Sequence, residues 1–181
     1  MTSEFLIHLP TPHEKQAAFT RSDKKRNIIR AGRRGGKTVG ASIRAAEKFL
    51  SGKRILYAAP TQEQIDRFWV SVCRALQEPI DNGIFRKNET RHIIEWPGRE
   101  ARIRAKTAWN ADTLRGDYAD ELYLDEFQLM NEDAWGVVGA PMLADNNGDA
   151  IFIYTPPSIR SAGATKAQDP ESAQQPHRDN E

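Results

Sequence analysis

Cysteine is almost absent: Cys73 stands alone among 181 residues, which excludes an internal disulfide and any zinc site built from several thiolates. Within the helical pattern of Gln62 to Gln77, that thiol reads as a buried packing residue rather than a nucleophile. Long apolar runs are missing as well. No stretch approaches the ~18 residues that cross a bilayer, so no membrane association is expected. The opening residues, Met1 to Ile7, carry no basic leader and too short an apolar stretch for a secretory signal, so the expected compartment is the cell interior. Internal repeats are lacking too, which removes the solenoid architectures. Net charge is scarce, at +1.

That small net charge hides a division along the chain. Between Arg21 and Arg54 there are twelve Lys and Arg against two acids, Asp23 and Glu47. Between Ala111 and Asp149 there are ten acids and one base, Arg115. A basic block can meet nucleotide or nucleic acid, although Lys24-Lys25-Arg26 alone reads as a solvated face. Apolar residues make up 39% and charged residues 28%, the balance of one ordinary globular domain.

Strand and helix patterns alternate. Thr11 to Phe19 reads as a helix with Pro12 near its first turn, Asn27 to Ala31 as a short strand, and Lys37 to Leu50 as a helix ended near Gly52. Arg54 to Ala59 is a buried-type strand stopped by Pro60, and Thr61 with Gln64 caps a helix running to about Gln77. His92 to Trp96 and Ala101 to Ala105 flank Pro97-Gly98 as a hairpin. Glu121 to Asp125 and Ala150 to Tyr154 are two more buried strands. Strands separated by helices predict an α/β fold: a mostly parallel central sheet with helices on both faces. Residues 1–157 form the expected domain. Residues 158–181, rich in Ser, Ala, Gln, Asp and Pro, read as a disordered polar tail.

The strongest chemical signal is Ala31-Gly32-Arg33-Arg34-Gly35-Gly36-Lys37-Thr38, a glycine-rich turn between strand and helix, which is the context of a phosphate-binding P-loop. Gly35 and Gly36 let the backbone curl so that several N–H groups face one anion at the positive end of a helix. Lys37 can then reach the β- and γ-phosphates, and the Thr38 hydroxyl can ligate Mg²⁺. The usual first glycine is replaced by Ala31, with glycine one place later at Gly32. A second signal is Leu122-Tyr123-Leu124-Asp125-Glu126, a buried strand ending in two acids, the Walker B arrangement. Asp125 is placed to hold Mg²⁺, directly or through water, and Glu126 to polarise the attacking water. Thr155, ending the next strand before two prolines, can touch the γ-phosphate or its water. Gln16, in His13-Glu14-Lys15-Gln16, can read an adenine edge with its amide, or be an exposed helical side chain.

Together these segments resemble the ATPase domain of the large terminase subunit, the DNA-packaging motor of tailed bacteriophages. The matching pieces are His13 to Gln16, Ala31 to Thr38, Tyr57 to Gln64, Asp112 to Gln128 and Ile153 to Ser158. In that family the alanine opening the loop and the arginines within it are usual. The resemblance implies a P-loop NTPase fold of the RecA/ASCE type with a β-hairpin insertion, and Mg²⁺-dependent hydrolysis of ATP coupled to translocation of double-stranded DNA. It implies that Ala31, Gly32, Gly35, Gly36 and Lys37 cradle phosphate, that Gln16 contacts the base, that Thr38 and Asp125 hold magnesium, and that Glu126 is the catalytic carboxylate. Arg33 or Arg34 resembles the loop arginine that acts on the γ-phosphate. Arg115 resembles a finger reaching a neighbouring subunit's ATP, with a salt bridge to Asp117 or Asp120 as the other reading. Thr155 resembles the residue coupling phosphate loss to movement. The implied partners are double-stranded DNA, the portal protein, the small terminase subunit and further copies in a ring on the portal, in the host cytoplasm. Large terminases continue into an RNase H-like nuclease domain. After Asp149 this chain has no carboxylate cluster on strands, so nuclease activity is not expected. A helicase-like module needs a second RecA-like domain, for which there is no length. The alternative left open is a truncated remnant that binds nucleotide or DNA without turnover.

Overall fold

The computed structural model describes residues 5–32, 34–108, 114–131 and 133–156. The expected tail and Arg33 lie outside the described residues. The first helix, α1 (Glu14–Thr20), begins three residues later than the sequence pattern suggests. The reason is its cap: His13 Nδ1 accepts the Gln16 N–H while Gln16 Oε1 accepts the His13 N–H, so His13, and not Thr11, closes the helix start. β1 (Arg26–Arg30) leads through the glycine-rich loop into α2 (Lys37–Leu50). β2 (Arg54–Ala59) follows, then α3 (Gln62–Ala75), capped reciprocally by Thr61 and Gln64. α3 stops short of the predicted Gln77 and restarts as α4 (Gln77–Asp81). Pro79 explains the break, since it has no N–H to offer the Ala75 carbonyl and its ring crowds that oxygen. The lone thiol of Cys73 is buried on α3, as expected, and burial pushes it up to about 12, which leaves it inert.

Three short strands come next: β3 (Arg86–Asn88), β4 (Ile93–Glu95) and β5 (Arg102–Thr107). β6 (Glu121–Asp125) is followed by a 3₁₀ turn at Phe127–Leu129, a π-helical turn at Ala134–Gly139, α5 (Ala140–Ala144) and β7 (Asp149–Tyr154). The seven strands form one sheet in the order β1-β7-β6-β2-β5-β4-β3. Five are parallel; β3 and β4 add antiparallel at one edge. The hairpin around Pro97-Gly98 is present as expected, with β4 pairing antiparallel to β5. Its second strand, β5, lies in register with β2 from Arg54↔Arg102 to Ala59↔Thr107.

Alternate residues of the strands divide the core in two. Ile55, Tyr57, Tyr123, Ile151 and Ile153 pack under α2 and α3, while Leu56, Ala58, Leu122, Leu124 and Phe152 pack against Ala134, Val138 and Leu143 of the opposite layer. Helices thus cover both faces, as the alternating pattern predicts. β1 is an edge strand, with Ile28 73% exposed. Because β1, β6 and β7 run parallel, their C-terminal ends and the loops after them meet on one side of the sheet, where open α/β sheets bind ligands.

Candidate functional site

The glycine-rich loop is held from behind. Lys37 Nζ folds back to donate to the carbonyls of Ala31 (2.7 Å) and Gly32 (3.1 Å). Gly36 adopts φ +70, and a Cβ there would meet Gln16 Nε2 at 2.5 Å. Both backbone conformation and space therefore demand glycine at this position. Arg34 takes φ 63 without being glycine, a local strain that the loop closure imposes. Gln16 is 6% exposed. Its Nε2 donates to the Gly36 carbonyl at 2.7 Å and its Oε1 accepts from His13. In this structure the amide therefore anchors the loop, where the sequence suggested a hand on a base or an exposed side chain. Ala31 extends β1 through its N–H to the Tyr154 carbonyl (3.3 Å).

The acidic strand end faces that loop. Asp125 is the last residue of β6 and 5% exposed. Its Oδ1 accepts the Glu126 N–H at 2.9 Å, and its Oδ2 accepts the Tyr57 hydroxyl. Burial raises the Asp125 carboxyl above its ordinary range; the neighbouring Glu126 adds to this, while Tyr57 and Lys37 oppose it. Burial, and then the charge of Asp125, push the Tyr57 phenol well above its usual value, so it remains the donor. Glu126 sits in the left-handed region at φ 50, which turns its side chain back over the strand ends. There Thr155 Oγ1 and Gln128 Nε2 (2.6 Å) donate to its two carboxylate oxygens. Gln128 also reaches the Thr155 carbonyl at 3.4 Å.

These groups line one open cleft of about 970 Å³. It brings together Arg34, Gly35, Gly36, Lys37 and Thr38 on one side with Asp125, Glu126 and Thr155 on the other. Gln16, Ala31 and Gly32 stand behind the loop. Arg115 is exposed in a turn between Leu114 and Gly116 and is not among the residues lining the cleft. Asp117 receives Arg104 and Lys106, and Asp120 receives Arg54. The sequence reading passed over three polar side chains of the cleft: Gln64, Arg67 and Gln128. The spacing of Gln64 and Arg67, three apart on one helix face, is the signal that could have found the first two. The basic block of the sequence is also less uniform than its charge suggests, because Arg44 is buried against Glu121 and Lys25 pairs with Asp149.

The donor set suits a small hard cation. A threonine hydroxyl and a buried carboxylate are oxygen ligands of the kind magnesium takes, and magnesium typically completes its shell with water and phosphate. Among the described residues no group of three or more His, Cys, Asp or Glu can hold a metal by itself. An ion here would take its remaining ligands from water and a bound phosphate, for which the loop opposite offers a place.

No family model matches the chain. It is 26% identical over 166 residues to the terminase large subunit of Thermus phage G20c, a match covering 82% of this chain and 34% of that protein. The chain thus spans about a third of the length of the curated relatives it matches. The large terminase ATPase domain of Thermus phage P74-26 superposes with a TM-score of 0.70 at 27% identity, covering 83% of this chain and 67% of that one. The large terminase of another thermophilic bacteriophage, solved in complex with ADP, shares the fold at a TM-score of 0.56 and 19% identity, over 79% of this chain and 38% of that one.

Proposed function

We propose that this chain, similar in sequence and fold to the ATPase domain of phage large terminase subunits, hydrolyses ATP to drive DNA packaging. The observation that carries the reading is the meeting of Lys37, Thr38, Asp125, Glu126 and Thr155 in one cleft. In the full assembly the work would be translocation of double-stranded DNA into a procapsid, by a ring of copies on the portal protein, with the small terminase subunit, in the host cytoplasm. Phosphate contacts without base preference suit such a translocase.

The residues divide the work as follows. The Gly35-Gly36 backbone and the start of α2 receive the phosphates, and Lys37 exchanges the carbonyls of Ala31 and Gly32 for phosphate oxygens. Gln16 holds the loop in shape from behind; to contact a base, as the resemblance implies, its amide would have to exchange its bonds to Gly36 or His13 for the base. Magnesium on Thr38 and Asp125 would supply positive charge to the β- and γ-phosphate oxygens. Glu126 orients and polarises the attacking water. Its tie to Thr155 gives a direct route from the reacting group to β7 and the chain beyond it. Of the two loop arginines, Arg34 lines the cleft and is taken as the one that acts on the γ-phosphate; Arg33, the other candidate, lies outside the described residues. Arg115 is assigned to a neighbouring subunit's ATP. Such an arginine is worth on the order of 10³–10⁵ in rate in other NTPases.

Nucleotide binding and phosphate release, measured side by side with DNA and portal present, test the reading. Lys37→Ala should abolish ATP binding. Glu126→Gln should bind ATP as the wild type does while turnover falls by about 10²–10⁴. Unchanged ATP affinity in Lys37→Ala would sink the loop assignment. A wild-type chain that binds ATP but never turns it over would establish a binding remnant instead.

A further inference from the structure

We propose that Tyr57 is a positioning residue that fixes the Asp125 carboxylate for a divalent metal ion. Tyr57 lies on β2 opposite Tyr123, two residues before Asp125 on β6. It is fully buried, and its ring stacks on Phe68 of α3 with centroids 3.8 Å apart and planes 3° from parallel. Two elements therefore clamp the ring and leave the phenol one direction in which to point. That direction is Asp125 Oδ2.

The other oxygen, Oδ1, takes the backbone N–H of Glu126. Each carboxylate oxygen thus has one donor, on separate parts of the chain, and each keeps a second lone pair. Two fixed donors define the plane of the carboxylate. Magnesium demands near-octahedral ligands at about 2.0–2.1 Å, so a ligand free to swivel about its last torsion binds it poorly. A phenylalanine would fill the same space against Phe68 without a hydroxyl to satisfy. The hydroxyl instead makes its bond to the carboxylate that ends β6, which is what an outer partner of a metal ligand does.

The inference rests on the reading that Asp125 holds the metal, and the experiment separates the two. A fluorescent ATPγS analogue is titrated onto wild type, Tyr57→Phe and Asp125→Asn, first with EDTA and then with increasing Mg²⁺. Tyr57→Phe should bind the analogue as wild type does without metal, while the Mg²⁺ concentration that tightens binding rises by about 10–100-fold. An unshifted Mg²⁺ midpoint overturns the proposal. So does an equal loss of affinity with and without metal, which would mark Tyr57 as a packing residue only. Asp125→Asn should lose the Mg²⁺ effect altogether; if that variant keeps it, the metal reading itself fails, whatever Tyr57 does.

Discussion

Asp120 and Asp125 flank the two ends of β6 and feel the fold in opposite senses. Burial pushes the Asp120 carboxyl up, but the Arg54 side chain and N–H, bonded at 2.8–3.1 Å, outweigh it and hold the group below the ordinary range. Its contribution to stability is present above its unfolded value, about 3.9, and is lost as pH falls through the lower folded value. Asp125 is raised. Its effect is favourable at low pH and is lost as pH rises through the folded value, because burial opposes the carboxylate more than the Tyr57 hydroxyl, the Glu126 N–H and Lys37 favour it. Asp120→Asn should therefore cost about 2 kcal/mol at pH 7, with the deficit shrinking on acidification. Asp125→Asn should raise the ligand-free melting temperature at pH 7, an advantage that fades as pH falls. Thermal melts across the acid range check both, and parallel pH dependences would refute the assignment. At this scale the sequence shows Lys37, Thr38, Asp125, Glu126 and Thr155, because their spacing relative to strand ends is characteristic. It does not show Tyr57 or Gln128. Their roles depend on which strand lies beside which, and on the left-handed turn at Glu126.

Among the elements, α2 does more than present the phosphate loop. Arg44, one of the twelve bases in the basic block, is buried on it. It makes bonds of 2.8–3.1 Å to the Glu121 carboxylate and donates to the Phe19, Thr20 and Ser22 carbonyls. Glu121 also accepts the Tyr123 hydroxyl. This network ties the loop helix to the last turn of α1 and the chain just after it, and to the start of the strand that ends in Asp125. Arg44→Met should destabilise the protein by about 3–5 kcal/mol, because Glu121 is left buried and uncompensated, and adding Glu121→Leu should recover part of the loss. Urea denaturation decides; a single-variant loss below about 1 kcal/mol would reduce the pair to a surface-like contact. The 3.6-residue period of α2 runs through Arg44 on its buried side, yet a lone arginine there reads as solvated until its carboxylate partner is known. α2 and β2 are legible to the residue, since a glycine turn or proline bounds each. The segment Ala134–Gly139 is not: Gly136, Val137, Val138 and Gly139 are weak helix formers, and packing on Leu122 imposes the turn.

On the scale of the whole molecule, the cleft is open and borders the ends of three parallel strands, so a nucleotide would bridge parts that only the folded state brings together. Saturation with Mg²⁺ and ATPγS at about 100 times Kd should stabilise the protein by roughly 2.7 kcal/mol, a rise in Tm of about 5–10 °C at this chain length. Chelating the metal should remove part of that rise. Scanning calorimetry with and without EDTA tests it, and a Tm indifferent to nucleotide would count against the cleft as the site. The α/β class is legible from alternating strand and helix patterns, whereas the strand order is not, because parallel pairing joins residues distant in sequence. Among the described strands β1 pairs only with β7, Arg26 beside Ala150 and Arg30 beside Tyr154. During synthesis the strand that carries the phosphate loop has no neighbour until the seventh strand has left the ribosome. Closing so long a span comes late in folding. A site built from the loop after β1 and the end of β6 is therefore complete only once β7 has joined the two in the sheet.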